Sequence, residues 1–205
     1  AVLHLSGHRE RGVYGASYQV KQNITIEDLH FRTDHVIRHE IDVTRHQLQR
    51  NRVEVAIGNG VFADPHTVRI EDVPGRNVRN VTAANIVVAT GTQATRDARI
   101  PFDGQRIMIS DDVMSLKKLP RTLTVIGAGV IGIEYATIFA VLGVRVTIVD
   151  KRERLLPFID REITDALAHQ MLEHRVTLRL GEEVKGIEPF ADERGERVRV
   201  SLVSG

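Results

Sequence analysis

Between Thr122 and Asp150 the chain reads TLTVIGAGVIGIEYATIFAVLGVRVTIVD, and this segment narrows the possible folds more than any other. Leu123 to Ile126 is a short, largely apolar run with the pattern of a buried strand. It ends in Gly127, Gly129 and Gly132, spaced G-x-G-x-x-G. Small and apolar residues follow over a helical length, and Val144 to Val149 is a second strand-like run closed by the acid Asp150. Strand, glycine turn, helix, strand and acid within about 30 residues make a βαβ unit suited to a dinucleotide. The first glycine permits the tight turn, the second lets the backbone approach a pyrophosphate, and the third lets helix and strand pack closely. The helix N-terminus adds free N–H groups and a positive dipole end. Gly127, Ala128, Gly129, Val130, Ile131 and Gly132 are therefore expected around the pyrophosphate, with Asp150 accepting the adenosine ribose hydroxyls. Lys151 and Arg152 suit a 2′-phosphate, although basic residues after such a strand are commonly plain surface charge.

The 205 residues suffice for one large or two small domains with a real core. Lys and Arg number 28 against 27 Asp and Glu, a formal charge of +1, so electrostatics supply no argument for nucleic acid or an anionic membrane. The arginines alternate with acids, as in ERGERVRV, and read as a mixed solvated surface. No apolar run approaches the roughly 18–20 residues of a membrane span. The opening AVLHLSGHRERG has no charged region before an apolar stretch, so no secretory signal is visible. Without cysteine, these residues hold neither disulfide nor thiol chemistry. The expected compartment is the cytosol. The chain opens without Met and both ends fall in mid-pattern, which leads us to expect a piece of a longer protein.

Thr25, with Asp28 three residues on, resembles a capping box. It predicts an amphipathic helix carrying Leu29, Val36, Ile37, Ile41 and Leu48 and ending near Asn51. On that helix His35 and His39 are spaced i, i+4, with Asp42 and His46 beyond. They lack a closing ligand pattern and read as a solvated face, so no metal is expected. Val53, Val55 and Ile57 alternate with polar residues as a half-buried strand, broken by Gly58 and Gly60. Val68 and Ile70 mark a second strand, Pro74 to Asn77 a turn, and Val78 begins a third: an antiparallel meander. Ile86 to Val88 reads as a continuous apolar strand ending at Ala89, Thr90 and Gly91. Thr92 to Arg121 holds Pro101, Gly104 and Pro120 and reads as an inter-domain connection. Past the βαβ unit, Asp160 is expected to cap a helix with Ile163, Leu167 and Met171 on one face, followed by a strand at Val176 to Leu180. Tyr14, Tyr18 and Tyr135 read as packing residues.

An Ala89-Thr90-Gly91 strand end about 30 residues before a G-x-G-x-x-G-x-E is a family arrangement. With VEVAIGNGVFADPHTVRI, TAANIVVATGT, ISDDVMSLKKLP, GAGVIGIEYATIF and RLLPFID, the chain resembles the pyridine nucleotide-disulfide oxidoreductases along essentially its whole length. The resemblance implies an α/β, two-dinucleotide-binding-domain flavoprotein fold. Residues 1–118 would be a partial FAD-binding domain with a β-meander, and 119–205 a Rossmann-like NAD(P) domain truncated at its C-terminal side. GAGVIGIEYATIF and AVLHLSG are most similar to the soluble, Si-specific transhydrogenase branch. That implies FAD-dependent hydride transfer between NADPH and NAD+, with NAD(H) and NADP(H) as exchanging partners. A disulfide reductase such as dihydrolipoamide dehydrogenase is the alternative, and a non-catalytic NAD(H) sensor the alternative of another class.

By the same resemblance, Gly127, Gly129, Gly132 and Asp150 match the NAD(P) pyrophosphate and ribose positions, and Val184 a residue beside the adenine. Gly60 matches a backbone contact to the FAD adenine, and Ala89, Thr90 and Gly91 the strand end beside the FAD. Glu134 matches a glutamate that pairs with a lysine, outside this chain, where nicotinamide meets isoalloxazine. The family's first FAD glycine motif, redox-cysteine region, second FAD motif and C-terminal dimer domain are not in the chain. Disulfide chemistry is thus neither implied nor excluded, homo-oligomers would form through the missing domain, and these residues alone are expected not to turn over. Position 130 is Val where glutathione-type reductases carry a gating Tyr.

Overall fold

The structure is a computed structural model that describes residues 13, 24–72, 77–193 and 195–205. Tyr14, Tyr18, the AVLHLSG opening and most of the expected turn at Pro74 to Asn77 lie outside the described residues. The chain divides into two compact units, one made of residues 1–34 and 94–205, the other of residues 35–93. Every buried residue among those described belongs to the first unit.

Helix α1 (Ile26–Arg50) begins at the expected box. The Thr25 N–H donates to Asp28 Oδ2 at 2.9 Å, and the Asp28 N–H returns a longer bond to Thr25 Oγ1 at 3.4 Å. Its first turn buries Ile26, while Val36, Ile37 and Ile41 remain exposed and line a shallow groove of about 390 Å³.

Strands β1 (Asn59–Asp64), β2 (Thr67–Glu71) and β3 (Val78–Thr82) form the meander, antiparallel in the order β1-β2-β3. The first strand lies one step later than expected. Val53 to Ile57 is not a strand, and Gly60 sits inside β1 opposite Ile70. The reason is contact: Gly58 lies so near Glu71 that a side chain there would collide with the Glu71 carbonyl, and pairing starts at Asn59↔Glu71. Alternation alone cannot choose a partner, and register decides which alternating run becomes the strand. The apolar run Ile86 to Val88 is likewise not a strand here, and Val87 stands 88% exposed. A buried strand of this type needs neighbours on the sheet, and the described residues supply none to this segment.

Within the first unit, a 3-10 helix (Ser110–Ser115) precedes β4 (Thr122–Ile126), α2 (Val130–Val141), β5 (Arg145–Asp150), α3 (Arg161–Glu173) and β6 (Thr177–Leu180). The three strands are parallel in the order β4-β5-β6, with Thr122↔Arg145 and Ile126↔Val149 in register. Helix α2 turns Ile133, Ala136, Phe139 and Ala140 inward, and the two alanines suit a close helix–sheet approach. These residues join Val146, Ile148, Met171 and Val176 in one core. Tyr135 packs against that core, as expected of it.

Asp160 caps α3 as expected, accepting from the Glu162 N–H at 2.9 Å. The buried face differs by one residue. Thr164, Leu167, Ala168 and Met171 turn toward the core at i, i+3, i+4, i+7 spacing, and Ile163 is 63% exposed. Beyond β6, β7 (Val184–Asp192) and β8 (Gly195–Leu202) form an antiparallel hairpin. The charge-rich run that reads as surface is thus strand as well. Its Arg197 pairs with Asp192 at 3.0 Å, and its Arg199 lies 4.8 Å from the Phe190 ring centroid. The connection Thr92 to Arg121 is ordered by carboxylates: Asp103 Oδ1 accepts from the N–H groups of Gln105, Arg106 and Ile107.

Candidate functional site

Gly127 follows the C-terminal end of β4, Gly129 precedes α2 and Gly132 lies in its first turn, and the structure separates their roles. Gly127 has φ +105°, a left-handed conformation that side chains resist, and its N–H donates to the Val149 carbonyl at 2.8 Å. Gly132 faces the turn so closely that a side chain there would collide with the Gly127 carbonyl. Gly129 is different. Its φ is an ordinary −80°, and a side chain would meet nothing within 4 Å. Gly127 and Gly132 are needed by the fold, whereas Gly129 is needed only if something external approaches the backbone.

Gly129 is also the N-cap of α2, and no side chain caps that end. The first-turn N–H groups of a helix lack intrahelical partners, and the dipole makes their surroundings favourable to anions. Ala128, Val130 and Ile131 complete the turn; Ala128 is fully buried, and Val130 and Ile131 are exposed.

Asp150 ends β5 directly beside this turn and is 7% exposed. Its Oδ2 accepts from the Ala128 N–H at 2.6 Å and from Arg152 Nη2 at 2.6 Å. Its Oδ1 accepts from the Arg152 backbone N–H at 2.8 Å and from Arg152 Nε at 2.9 Å. The Arg152 guanidinium holds the carboxyl well below the usual carboxylate range, and the N–H bonds from Arg152 and Ala128 add to this while burial opposes it. Arg152 itself is pushed up by the same pair. Residue types alone point Asp150 to a ribose and Arg152 to a phosphate, whereas in the fold each grips the other. The Asp-x-Arg spacing at a strand end was the available signal, and only the turn's geometry turns it into a forked pair.

The turn leading into Val184 is laced to the same loop, with the Glu182 N–H donating to the Asp150 carbonyl at 3.0 Å and the Gly181 N–H to that of Arg152 at 3.0 Å. Val184 is half-buried at the start of β7. Lys151 is exposed after Asp150, and Glu134 is exposed on α2. The structure therefore brings together Gly127 to Gly132, Asp150, Lys151, Arg152 and the approach to Val184. Gly60, Ala89, Thr90 and Gly91 belong to the other unit, where all four are exposed and the last three lie outside any strand. Among the described residues, no group of His, Asp and Glu is arranged to hold a metal ion.

A parallel β-α-β core with a glycine turn at the strand ends defines a Rossmann-like α/β domain. The family model for pyridine nucleotide-disulphide oxidoreductases matches residues 11–204, and the chain belongs to that family. It is 49% identical over 92% of its length to the soluble pyridine nucleotide transhydrogenase of Mycobacterium bovis, of which it spans 40%. Among solved structures it resembles LpdA from Mycobacterium tuberculosis, at 24% identity and TM-score 0.83, covering 98% of this chain and 43% of that one. It also resembles the water-forming NADH oxidase of Lactobacillus brevis bound to NADH, at 25% identity and TM-score 0.56, covering 72% of this chain and 34% of that one. FAD and NAD(P)H are the cofactors of this family's chemistry. No helix among the described residues is long and apolar enough to cross a membrane.

Proposed function

We propose that this chain is the nicotinamide-dinucleotide-docking part of an FAD-dependent transhydrogenase, passing hydride between NADPH and NAD+ in the cytoplasm. The observation that carries the reading is the uncapped α2 terminus at Gly129, with open space above the glycine and a buried Asp150 alongside. The identity to a transhydrogenase supports the choice within the family. In this reading residues 119–205 hold the nicotinamide dinucleotide and residues 1–118 contribute part of the FAD side.

The N–H groups of Gly129 to Gly132 orient the pyrophosphate, Asp150 and Arg152 read the ribose, and Val184 flanks the adenine. Glu134 positions the nicotinamide end by pairing with a lysine from the rest of the protein. FAD supplies the hydride-relay chemistry, and the protein's contribution is to place the nucleotide and tune the field around it. Gly60, Ala89, Thr90 and Gly91 would contribute backbone to the FAD side once the complete protein surrounds them.

Titrating the purified chain with NADH and with FAD tests this. The expected outcome is NADH binding with little FAD retention. Gly129→Val should abolish that binding while leaving the thermal midpoint nearly unchanged, because the new side chain fills only the space a pyrophosphate needs. Unchanged NADH affinity in the variant, or stoichiometric FAD with no NADH, would overturn the assignment.

A further inference from the structure

We propose that the end of the parallel sheet remote from the glycine turn is a docking surface for an acidic, extended peptide segment of a protein partner. Arg121 directly precedes β4, Arg145 opens β5 and Arg175 lies two residues before β6. The three strands are neighbours in that order, and the Arg145 N–H donates to the Arg121 carbonyl at 3.2 Å. Neighbouring strands lie about 4.8 Å apart, so the three arginines start from a front of roughly 10 Å. Exposed Lys117 and Lys118 precede them in the chain. Among the described residues, none of these five cations has an ion-pair or hydrogen-bond partner for its charged group. Arginines elsewhere in the unit are paired, Arg96 with Asp112 and Arg106 with Asp103 and Glu196. Glu173, the acid nearest to Arg175 in the chain before it, contacts His169 at 3.5 Å.

Arg175 also holds an unfavourable backbone. The turns after α2 and α3 close alike: Gly143 and Val144 donate to the Ala140 and Phe139 carbonyls, and Arg175 and Val176 to those of Leu172 and Met171. The left-handed position falls on Gly143 in one turn, at φ +85°, and on Arg175 in the other, at φ +62°. A side chain is disfavoured there. Arg52 closes α1 with the same backbone, so strain alone selects nothing; Arg175 differs in joining Arg121 and Arg145 across neighbouring strand starts. The negative ends of the α2 and α3 dipoles make the cluster tolerable in the free protein, and carboxylates would relieve its self-repulsion through bidentate pairs with the guanidinium forks. The chemistry favours peptide over nucleic acid, for neither turn holds a Phe, Tyr or Trp on which a base would stack. Each helix end instead offers a leucine, Leu172 at 54% exposure and Leu142 half-buried, for an apolar side chain of the peptide to cover. A free oligophosphate would leave both uncovered.

The test follows a fluorescently labelled peptide, a short run of aspartates around one leucine, by anisotropy at low ionic strength. It compares the chain with Arg145→Gln, Arg175→Gly and their combination. Arg161→Gln is the control, removing the same charge at the opposite end of α3. Thermal melts establish folding, and Arg175→Gly should hold or raise the midpoint because it relieves the left-handed backbone. Each single change should weaken the peptide about two- to fivefold, the range for exposed charge pairs, and the combination should multiply the losses. Arg161→Gln should change it less than either. Saturating NADH should not displace the peptide, since the glycine turn lies at the other end of the strands. Should Arg175→Gly not fold, Arg145→Gln decides alone. Absence of binding to the unmodified chain, equal losses in the control and Arg145→Gln, or displacement by NADH overturns the proposal, whatever becomes of the dinucleotide reading. Tripolyphosphate binding more tightly than the peptide at the same arginines overturns the peptide assignment in favour of a phosphate ligand.

Discussion

Asp150 shows how one carboxyl couples local geometry to stability. Its pKa is depressed by folding, so the unfolded chain binds the proton more tightly. The stabilisation is therefore complete above the unfolded value of about 3.9 and is lost as the pH falls below it. Asp150→Asn should lower the thermal midpoint at neutral pH, since it leaves the Arg152 fork without its anion. The difference from the unmodified chain should shrink between about pH 5 and about pH 2. Melting both proteins by circular dichroism across that range checks this, and a constant gap would mean that Asp150 titrates as an ordinary carboxyl. Asp103, also depressed, is common to both proteins and drops out of the comparison. At Asp103 burial pushes the carboxyl up, and the N–H bonds from Ile107, Gln105 and Arg106 with the Arg106 side chain outweigh it, whereas the Arg152 guanidinium is the largest influence at Asp150.

Among the elements, α3 depends on a single side chain for its start. Asp160 Oδ1 takes the Glu162 N–H, and the helix then carries Thr164 and Met171 into the core beside β5 and β6. Asp160→Ala should cost about 0.5–2 kcal/mol, the usual range for losing such a cap. Urea denaturation should register it as a lower midpoint with an unchanged slope. NADH affinity should move little, because the glycine turn belongs to α2. The contrast with α2 is informative: its N-terminus has no side-chain cap, and α1 has a reciprocal one. The N-termini of α1 and α3 are closed by their own side chains; that of α2, at the glycine turn, is not.

At the scale of the whole molecule, the two units differ in how they are held. Among the described residues, all the buried ones belong to the unit of residues 1–34 and 94–205, whereas β1 and β3 are exposed along their whole length. Few buried apolar contacts mean a low free energy of local opening. Hydrogen exchange followed by mass spectrometry should find the amides of β1 to β3 exchanging orders of magnitude faster than those of Val146 to Val149 in β5. Equal protection in the two sheets would show that the meander is stabilised independently of burial. The chain spans 40% of the transhydrogenase it matches at 49% identity, and the exposed Val87 and Val88 are apolar surface of the kind a larger fold covers.

From the sequence by itself came the βαβ unit, the caps at Thr25 and Asp160, and the assignment of Gly127, Gly129 and Gly132 to one turn. These are local: a glycine spacing, a capping residue or a helical period is expressed within one or two turns of chain. The strand starting at Asn59 instead of Val53 was decided by the close passage of Gly58 against Glu71, a contact between distant residues. The outward turn of Ile163 was decided by which face the sheet covers. So was the pairing of Asp150 with Arg152, since two side chains in a turn meet only when the strand end and the glycine loop fix their backbone. Patterns of residue type determine which elements can form; register, covered faces and the occupancy of a buried carboxylate depend on what lies across from them, and only the tertiary structure supplies that.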